Sequence, residues 1–196
     1  MNGVFTQAFV SPIEDRSEIY RYLKAKPTND IDVLVDSAMD EARSELSYYV
    51  RYTVVDLEND GMNIKLGGLE VNSKDLCKCL YGCDKAVIFA ATLGSGIDRL
   101  IGKYSKLQPS RALVLQAYGS ERIEALCDAF CDEIINSTKR KLSPRFSAGY
   151  GDLTLEFQRE IFDILDCGKI GLTLNESLLM SPSKSVTAIA GLKKQE

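Results

Sequence analysis

The sequence predicts an α+β fold: a twisted, largely antiparallel sheet packed with helices. Three observations lead there. Residues 49–57 and 62–66 read as strands joined by an Asp60-Gly61 turn, the pattern of antiparallel neighbours. Residues 85–93 form a short apolar run suited to a buried central strand. Helical segments surround these strands without the strict strand–helix alternation that a doubly wound sheet requires. The chain of 196 residues is long enough for one compact domain with a core of its own. Its 45% hydrophobic and 27% charged residues are globular values, which exclude wholesale disorder and a collagen-like chain.

Each element has its own signal. Residues 1–30 read as an amino-terminal arm and residues 31–196 as the main domain. Within the arm, residues 14–24 form a short helix with Ile19, Tyr20 and Leu23 on one side, ended by Pro27. Asn29 or Asp30 is expected to cap an amphipathic helix. Its apolar stripe is Ile31, Leu34, Val35, Ala38, Ala42 and Leu46, with Asp32, Asp36 and Asp40 largely opposite. Val50, Tyr52, Thr53, Val54 and Val55 are β-branched or aromatic and favour a strand. Met62, Ile64 and Leu66 then alternate with Asn63 and Lys65, the period of a half-buried strand.

Residues 73–80 suit a short helix. The apolar run at 85–93 ends at Gly94-Ser95-Gly96, where another helix can begin. Residues 110–139 form the longest helix, with Leu115, Gly119, Ile123, Leu126, Phe130 and Ile134 on one stripe. A loop containing Pro and Gly spans 142–151. Thr154 is expected to cap a helix carrying Leu155, Ile161, Phe162 and Leu165, with Gly168 as its stop. Residues 170–174 and 186–190 are strand-like.

What is missing narrows the chemistry. The chain has no His, so a His acid–base pair, a Ser-His-Asp triad, a Cys-His pair and a His metal site are all excluded. With 24 Lys plus Arg against 28 Asp plus Glu, the net charge is −4, which argues against nucleic acid as a partner. Residues 1–10 lack the features of a secretory signal, and the longest purely apolar stretch, 86–91, is far too short to span a membrane. A cytoplasmic location is expected, with the six cysteines as reduced thiols.

Four places are candidates for function. Gly94-Ser95-Gly96 lies between a strand and a helix, where amides can meet a phosphate, but it lacks the third glycine of a dinucleotide fingerprint and reads as a plain turn. Cys77, Cys79 and Cys83 cluster, as do Cys127 and Cys131. Their spacing is not a paired C-x-x-C, so buried thiols are expected rather than a metal site. Asp128, Asp132 and Glu133 read as a solvated acidic face. The loop at 143–153 says more. Arg145 is a cation among small and aromatic residues, able to grip a carboxylate with both arms of its fork. Gly149 and Gly151 flank Tyr150 and allow backbone to approach a ligand. A turn with a buried Tyr and an Arg bonded to nearby carbonyls accounts for the same residues.

This loop and the residues after it resemble the activation domain of cobalamin-dependent methionine synthase. Arg145-Phe-Ser-Ala-Gly149-Tyr150 stands where that family has R-x-x-P-G-Y. After a helix, Ile170-Gly171-Leu172-Thr173-Leu174-Asn175-Glu176-Ser177 matches I-G-x-x-L-T-E-S. Met180-Ser181-Pro182 with Ser185-Val186 then matches M-x-P-x-x-S-V. The motifs are firm from Arg145 onward; the strand at 85–93 and the long helix match with weaker identity.

The resemblance implies an α+β domain around a twisted antiparallel sheet and a task of repair. Such a domain binds S-adenosylmethionine and docks on the cobalamin-binding protein. An electron from a flavodoxin-like or other reductase, with a methyl group from S-adenosylmethionine, returns cob(II)alamin to methylcobalamin. It further implies a cofactor-binding set of Arg145, Ala148, Gly149 and Tyr150, with Arg145 gripping the ligand and the small Ala148 and Gly149 admitting the adenosine part. Glu124 falls near a family glutamate, although a surface role is the plainer expectation for it. No catalytic or metal-ligating residue is implied in this chain.

The departures from the pattern also carry expectations. Ala148 replaces the family's Pro, and residues 1–30 show no match to its ligand-binding aspartate segment. No counterpart of its carboxy-terminal tyrosine pair precedes Glu196. A weakened pocket, or one completed by a partner, is the consequence. With no His to serve as a lower ligand, cobalamin must be presented by another chain: a methionine synthase or other corrinoid protein served in trans. The alternative is a docking or capping module that has lost methyl-donor binding.

Overall fold

The computed structural model describes residues 3–61 and 63–194. Along them run β1 (Phe5–Ala8), α1 (Arg16–Leu23), α2 (Asn29–Arg43), β2 (Tyr49–Asn59), β3 (Ile64–Leu66), β4 (Leu69–Val71) and α3 (Lys74–Cys79). Next come β5 (Cys83–Thr92), α4 (Gly96–Leu107), α5 (Pro109–Thr138), α6 (Phe157–Leu165), β6 (Thr173–Leu174), β7 (Met180–Ser181) and β8 (Ser185–Lys193). Met62, expected to open the second strand, lies outside the described residues.

The main sheet has the order β4-β3-β2-β5-β8, and β1 pairs with β2 on the edge that β3 also uses. These pairings are antiparallel, as the α+β expectation required. β5 shows why its sequence is a continuous apolar run rather than an alternating one. Ala86, Ile88 and Ala90 enter a core shared with Leu76 of α3 and Ile161 and Leu165 of α6. Val87, Phe89 and Ala91 face the other way, into a core with Ile123, Leu126 and Phe130 of α5. Successive side chains point to opposite faces, so a strand covered on both sides has no polar positions to spare.

The 30-residue helix α5 links two layers. Its second half covers the sheet. Its first half carries Leu115 and Tyr118 into a third core with Ile19 and Tyr20 of α1, Val35 and Ala38 of α2, and Ile97 of α4. Pro109 opens α5, where a missing N–H costs nothing. No helix among the described residues is long and apolar enough to cross a membrane.

Several element ends differ from the sequence expectation. α2 begins after Thr28, which is extended, while Asn29 is already helical; its side chain supplies no cap. α6 starts at Phe157 rather than next to Thr154, because Phe157 and Gln158 first donate to the carbonyls of Thr154 and Leu155 in tight turns. It stops at Asp166, which takes the left-handed conformation (φ 49°), and not at Gly168. Gly168 lies in a 3-10 turn, Cys167–Ile170, that turns Cys167 and Ile170 into the core. That turn takes Ile170, and the left-handed Gly171 (φ 73°) follows it, so that only the short β6 remains of the strand expected at 170–174. The arm contributes more than a helix, since Phe5–Ala8 forms an edge strand on β2.

Candidate functional site

The loop after α5 is fastened before it reaches its tip. Residues 141–146 run along the outer edge of β8. The Lys193 N–H donates to the Lys141 carbonyl at 2.9 Å, and the Ser143 N–H to the Gly191 carbonyl at 2.8 Å. Phe146 and Ile189 exchange both backbone bonds, at 2.9 and 2.8 Å. Beyond this edge Ala148 is buried, and Gly149 (φ +89°) donates to the Leu153 carbonyl at 2.9 Å. Asp152 then ties the loop to the start of α3, its carboxylate accepting from the Lys74 N–H at 2.8 Å and from the Ser73 hydroxyl. That hydroxyl, with the α3 amides, holds the Asp152 carboxyl below its ordinary value. Gly151 packs so closely on Asp75 that a Cβ there would meet its side chain.

Arg145 leaves this pinned edge and reaches α5. Its Nη2 donates to Glu124 Oε2 at 2.8 Å and its Nη1 to Asp128 Oδ1. Burial opposes the charge on Arg145, but the bond to Asp128 together with the nearby charges of Asp128 and Glu124 and the Cys127 thiol outweighs it, and the guanidinium is held charged beyond its ordinary value. The charge of Arg145 lies near Cys131, one turn along α5, and favours its thiolate, but burial still pushes the thiol up. Tyr150 is 68% exposed and presents its ring to solvent at the loop tip. The expected site residues therefore divide. Arg145 is drawn to α5, Ala148 is packed inside, Gly149 shapes the turn and Tyr150 stands outside. The buried tyrosine that a purely structural loop would carry is not found here.

Glu124 and Asp128 also wall a groove of about 510 Å³ between α5 and the amino-terminal segment. Asp15, Glu18, Glu121 and Asp132 line it as well. The far wall is held by Arg122, which is fully buried. Its Nη1 donates to the Pro12 carbonyl at 2.6 Å and its Nη2 to the Ile13 carbonyl at 2.8 Å, while its Nε bonds to Glu121. Glu121 in turn accepts from the Asp15 N–H at 2.9 Å. Tyr118 donates to Glu14 at 2.6 Å, and Arg43 holds Glu14 from the other side. The result is an acidic groove, two of whose wall carboxylates, Glu124 and Asp128, hold the guanidinium of Arg145. Carboxylates favour a cationic group inside, and the fork of Arg145 favours a carboxylate. A molecule carrying both, as an amino acid does, suits the pair.

The sequence alone pointed to Arg145 but placed Glu124 on the surface and Asp128 on a solvated face. Asp128 is exposed and Glu124 half-buried, and the structure also brings both to Arg145. The groove's opposite wall had no sequence signal, because Arg122 and Glu121 lie within an ordinary helical pattern and their partners are backbone atoms of residues 12–15.

The remaining candidates resolve into packing. A Cβ at Gly96 would run into the carbonyl oxygen of Glu45, and Gly94 crowds Ser47. The Gly94 N–H already donates to Thr92 Oγ1 at 3.1 Å. These glycines admit the chain before β2 rather than a phosphate. The cysteines are free, and Cys77, Cys83, Cys127 and Cys167 are buried. Burial pushes the Cys167 thiol up to about 12. Among the described residues, no group of three or more cysteine or carboxylate side chains is placed to hold a metal ion.

Sheet order, flanking helices and the long α5 define an α+β domain built on an antiparallel sheet. Among solved structures, the crystal structure of the MetH reactivation domain bound to AdoHcy is similar to it. The two align with a TM-score of 0.77 over 100% of this chain and 80% of that chain, at 14% sequence identity. At that identity the likeness shows the fold. No protein-family model matches the sequence, and no curated protein matches it.

Proposed function

We propose that this chain is a reactivation subunit for cobalamin-dependent methionine synthase, supporting reductive remethylation of cob(II)alamin in trans with S-adenosylmethionine as methyl donor. The observation that carries this reading is the fold likeness, over the whole chain, to a domain crystallised with AdoHcy, the product of that methyl transfer. The motif beginning at Arg145 and the acidic groove beside it support the reading from a second direction.

The ligand's charges fit the residues present. S-adenosylmethionine carries a carboxylate, an ammonium and a sulfonium. Arg145 holds the carboxylate, and the groove carboxylates, Glu124 among them, face the positive groups. With Ala148 packed inside, the turn at Gly149 and the exposed ring of Tyr150 are what the loop offers the adenosine part. Cobalamin, presented by the partner chain, supplies the cobalt that accepts an electron and then the methyl group. A flavodoxin-like or other reductase is the electron donor. This chain contributes binding and orientation.

A second reading has one specific observation in its favour. Both terminal nitrogens of Arg145 are already bonded to the chain's own carboxylates. A docking or capping module for a corrinoid protein, without methyl-donor binding, needs nothing more from Arg145. One experiment separates the two. The corrinoid partner in its cob(II)alamin state is mixed with S-adenosylmethionine and a reductant, with and without this chain. Faster return of methylcobalamin with the chain supports the proposal, and an unchanged rate rejects it.

A further inference from the structure

We propose that Asp128 is a built-in competitor for Arg145, occupying in the free chain the guanidinium edge that an incoming carboxylate must take. The inference rests on the reading of Arg145 as a ligand-gripping residue. Glu124 and Asp128 stand one turn apart on α5 and divide the fork of Arg145 between them. They are not equivalent. The Asp128 side chain is 68% exposed against 45% for Glu124, while that of Arg145 is 27% exposed. The more solvated partner gives up least on release, because water replaces its hydrogen bonds.

The main chain beside Arg145 is fixed, since the next residue, Phe146, is tied to Ile189 by two backbone bonds, and both terminal nitrogens of the Arg145 fork are engaged on α5. A ligand must therefore come to Arg145 and displace a partner there. Asp128 lines the groove and holds one edge of the guanidinium, so a carboxylate that replaces Asp128 takes that edge. The ligand's carboxylate then exchanges for that of Asp128, with no covalent step and no change in net charge at the guanidinium. Asp128 sets the threshold affinity and keeps the guanidinium paired when no ligand is bound. Glu124, less exposed, stays in place and orients the fork, which makes it a positioning residue.

The test is calorimetric titration of S-adenosylmethionine into the full chain and into Asp128→Asn, Asp132→Asn and Arg145→Ala. Asp128→Asn removes the competing charge and should bind about two- to five-fold more tightly than the unaltered chain. Asp132→Asn removes a charge from the same groove with no bond to Arg145, and should give a clearly smaller gain. Unchanged or weaker binding by Asp128→Asn overturns the proposal while leaving the ligand site standing. Equal gains from both variants also overturn it, because general charge then explains the effect. Absence of binding by the unaltered chain and by Asp128→Asn, or full binding by Arg145→Ala, overturns the site and the competitor together.

Discussion

Single residues carry the site, and their surroundings state what each substitution should do. Tyr150 presents its ring at the tip of a fastened loop and is 68% exposed. Tyr150→Ala should therefore leave the melting temperature within about a degree or two, the range of an ordinary surface change. If the ring meets the ligand, Tyr150→Ala should weaken S-adenosylmethionine binding more than Tyr150→Phe, which keeps the ring. Thermal melts and titrations on both variants check this. Two glycines give a sharper contrast. A Cβ at Gly96 would strike the Glu45 backbone carbonyl, whereas Gly102, exposed within α4, has open space around it. Gly96→Ala should cost roughly 1–3 kcal/mol by overpacking. Gly102→Ala should gain roughly 0.4–1 kcal/mol by restricting the unfolded chain. Urea denaturation of both variants measures the difference. At this scale the sequence exposed Arg145 by its setting among small residues, but it hid the partners. Glu124 and Asp128 lie 21 and 17 positions away along the chain, and nothing local marks them.

Elements were legible where burial imposes a period. β2, β5 and α5 appear close to their expected bounds because each presents a full face to a core. Of the shorter pieces, α3 and β3 fall within the expected 73–80 and 62–66, whereas β1 and β4 were not expected. β1 and β4 hold four and three residues, too few for any alternation to rise above chance. α6 ends at a left-handed Asp166, a choice made by the buried 3-10 turn after it and not by the nearest glycine. The amino-terminal segment is the clearest case of tertiary control, since residues 12–15 are held by Arg122 and Glu121. Arg122→Met should leave Glu121 buried without its cation and two carbonyls without donors, and should cost roughly 3–5 kcal/mol. Arg122→Lys should recover only part, because an ammonium cannot serve two carbonyls and a carboxylate in one plane. Chemical denaturation should report the loss, and limited proteolysis should place the first cuts before α1. Unchanged protection there would mean that the segment is held by something else.

For the molecule as a whole, charge sets the response to pH. Glu14 is held below its ordinary value mainly by Arg43, Asp84 by Arg140 and Asp152 by Ser73. For each group the folded value lies below the unfolded one, so the folded state binds its proton less readily. The stability they contribute is complete above about pH 5 and is lost as pH falls through about 4 and below. Melting temperature should be level from pH 7 to about 5 and then fall, and Glu14→Gln should reduce the fall. A melting temperature that climbs between pH 5 and 3 would contradict this. The fold class was readable from the sequence because hairpin, central strand and long helix are each determined by local pattern. The groove was not, since it forms only where α5 meets residues from the opposite end of the chain.

The most direct test of the proposed function is calorimetric titration of S-adenosylmethionine into the isolated chain and into Arg145→Ala, with the melting temperature of both recorded. Binding should be measurable in the unaltered chain. It should weaken by about one to two decades in Arg145→Ala, as loss of a charge-assisted contact worth roughly 1.5–3 kcal/mol requires. The melting temperature should scarcely change, because the ion pairs of Arg145 are partly exposed. A destabilised Arg145→Ala that binds S-adenosylmethionine as well as the unaltered chain, or an unaltered chain that does not bind it, would contradict the proposal.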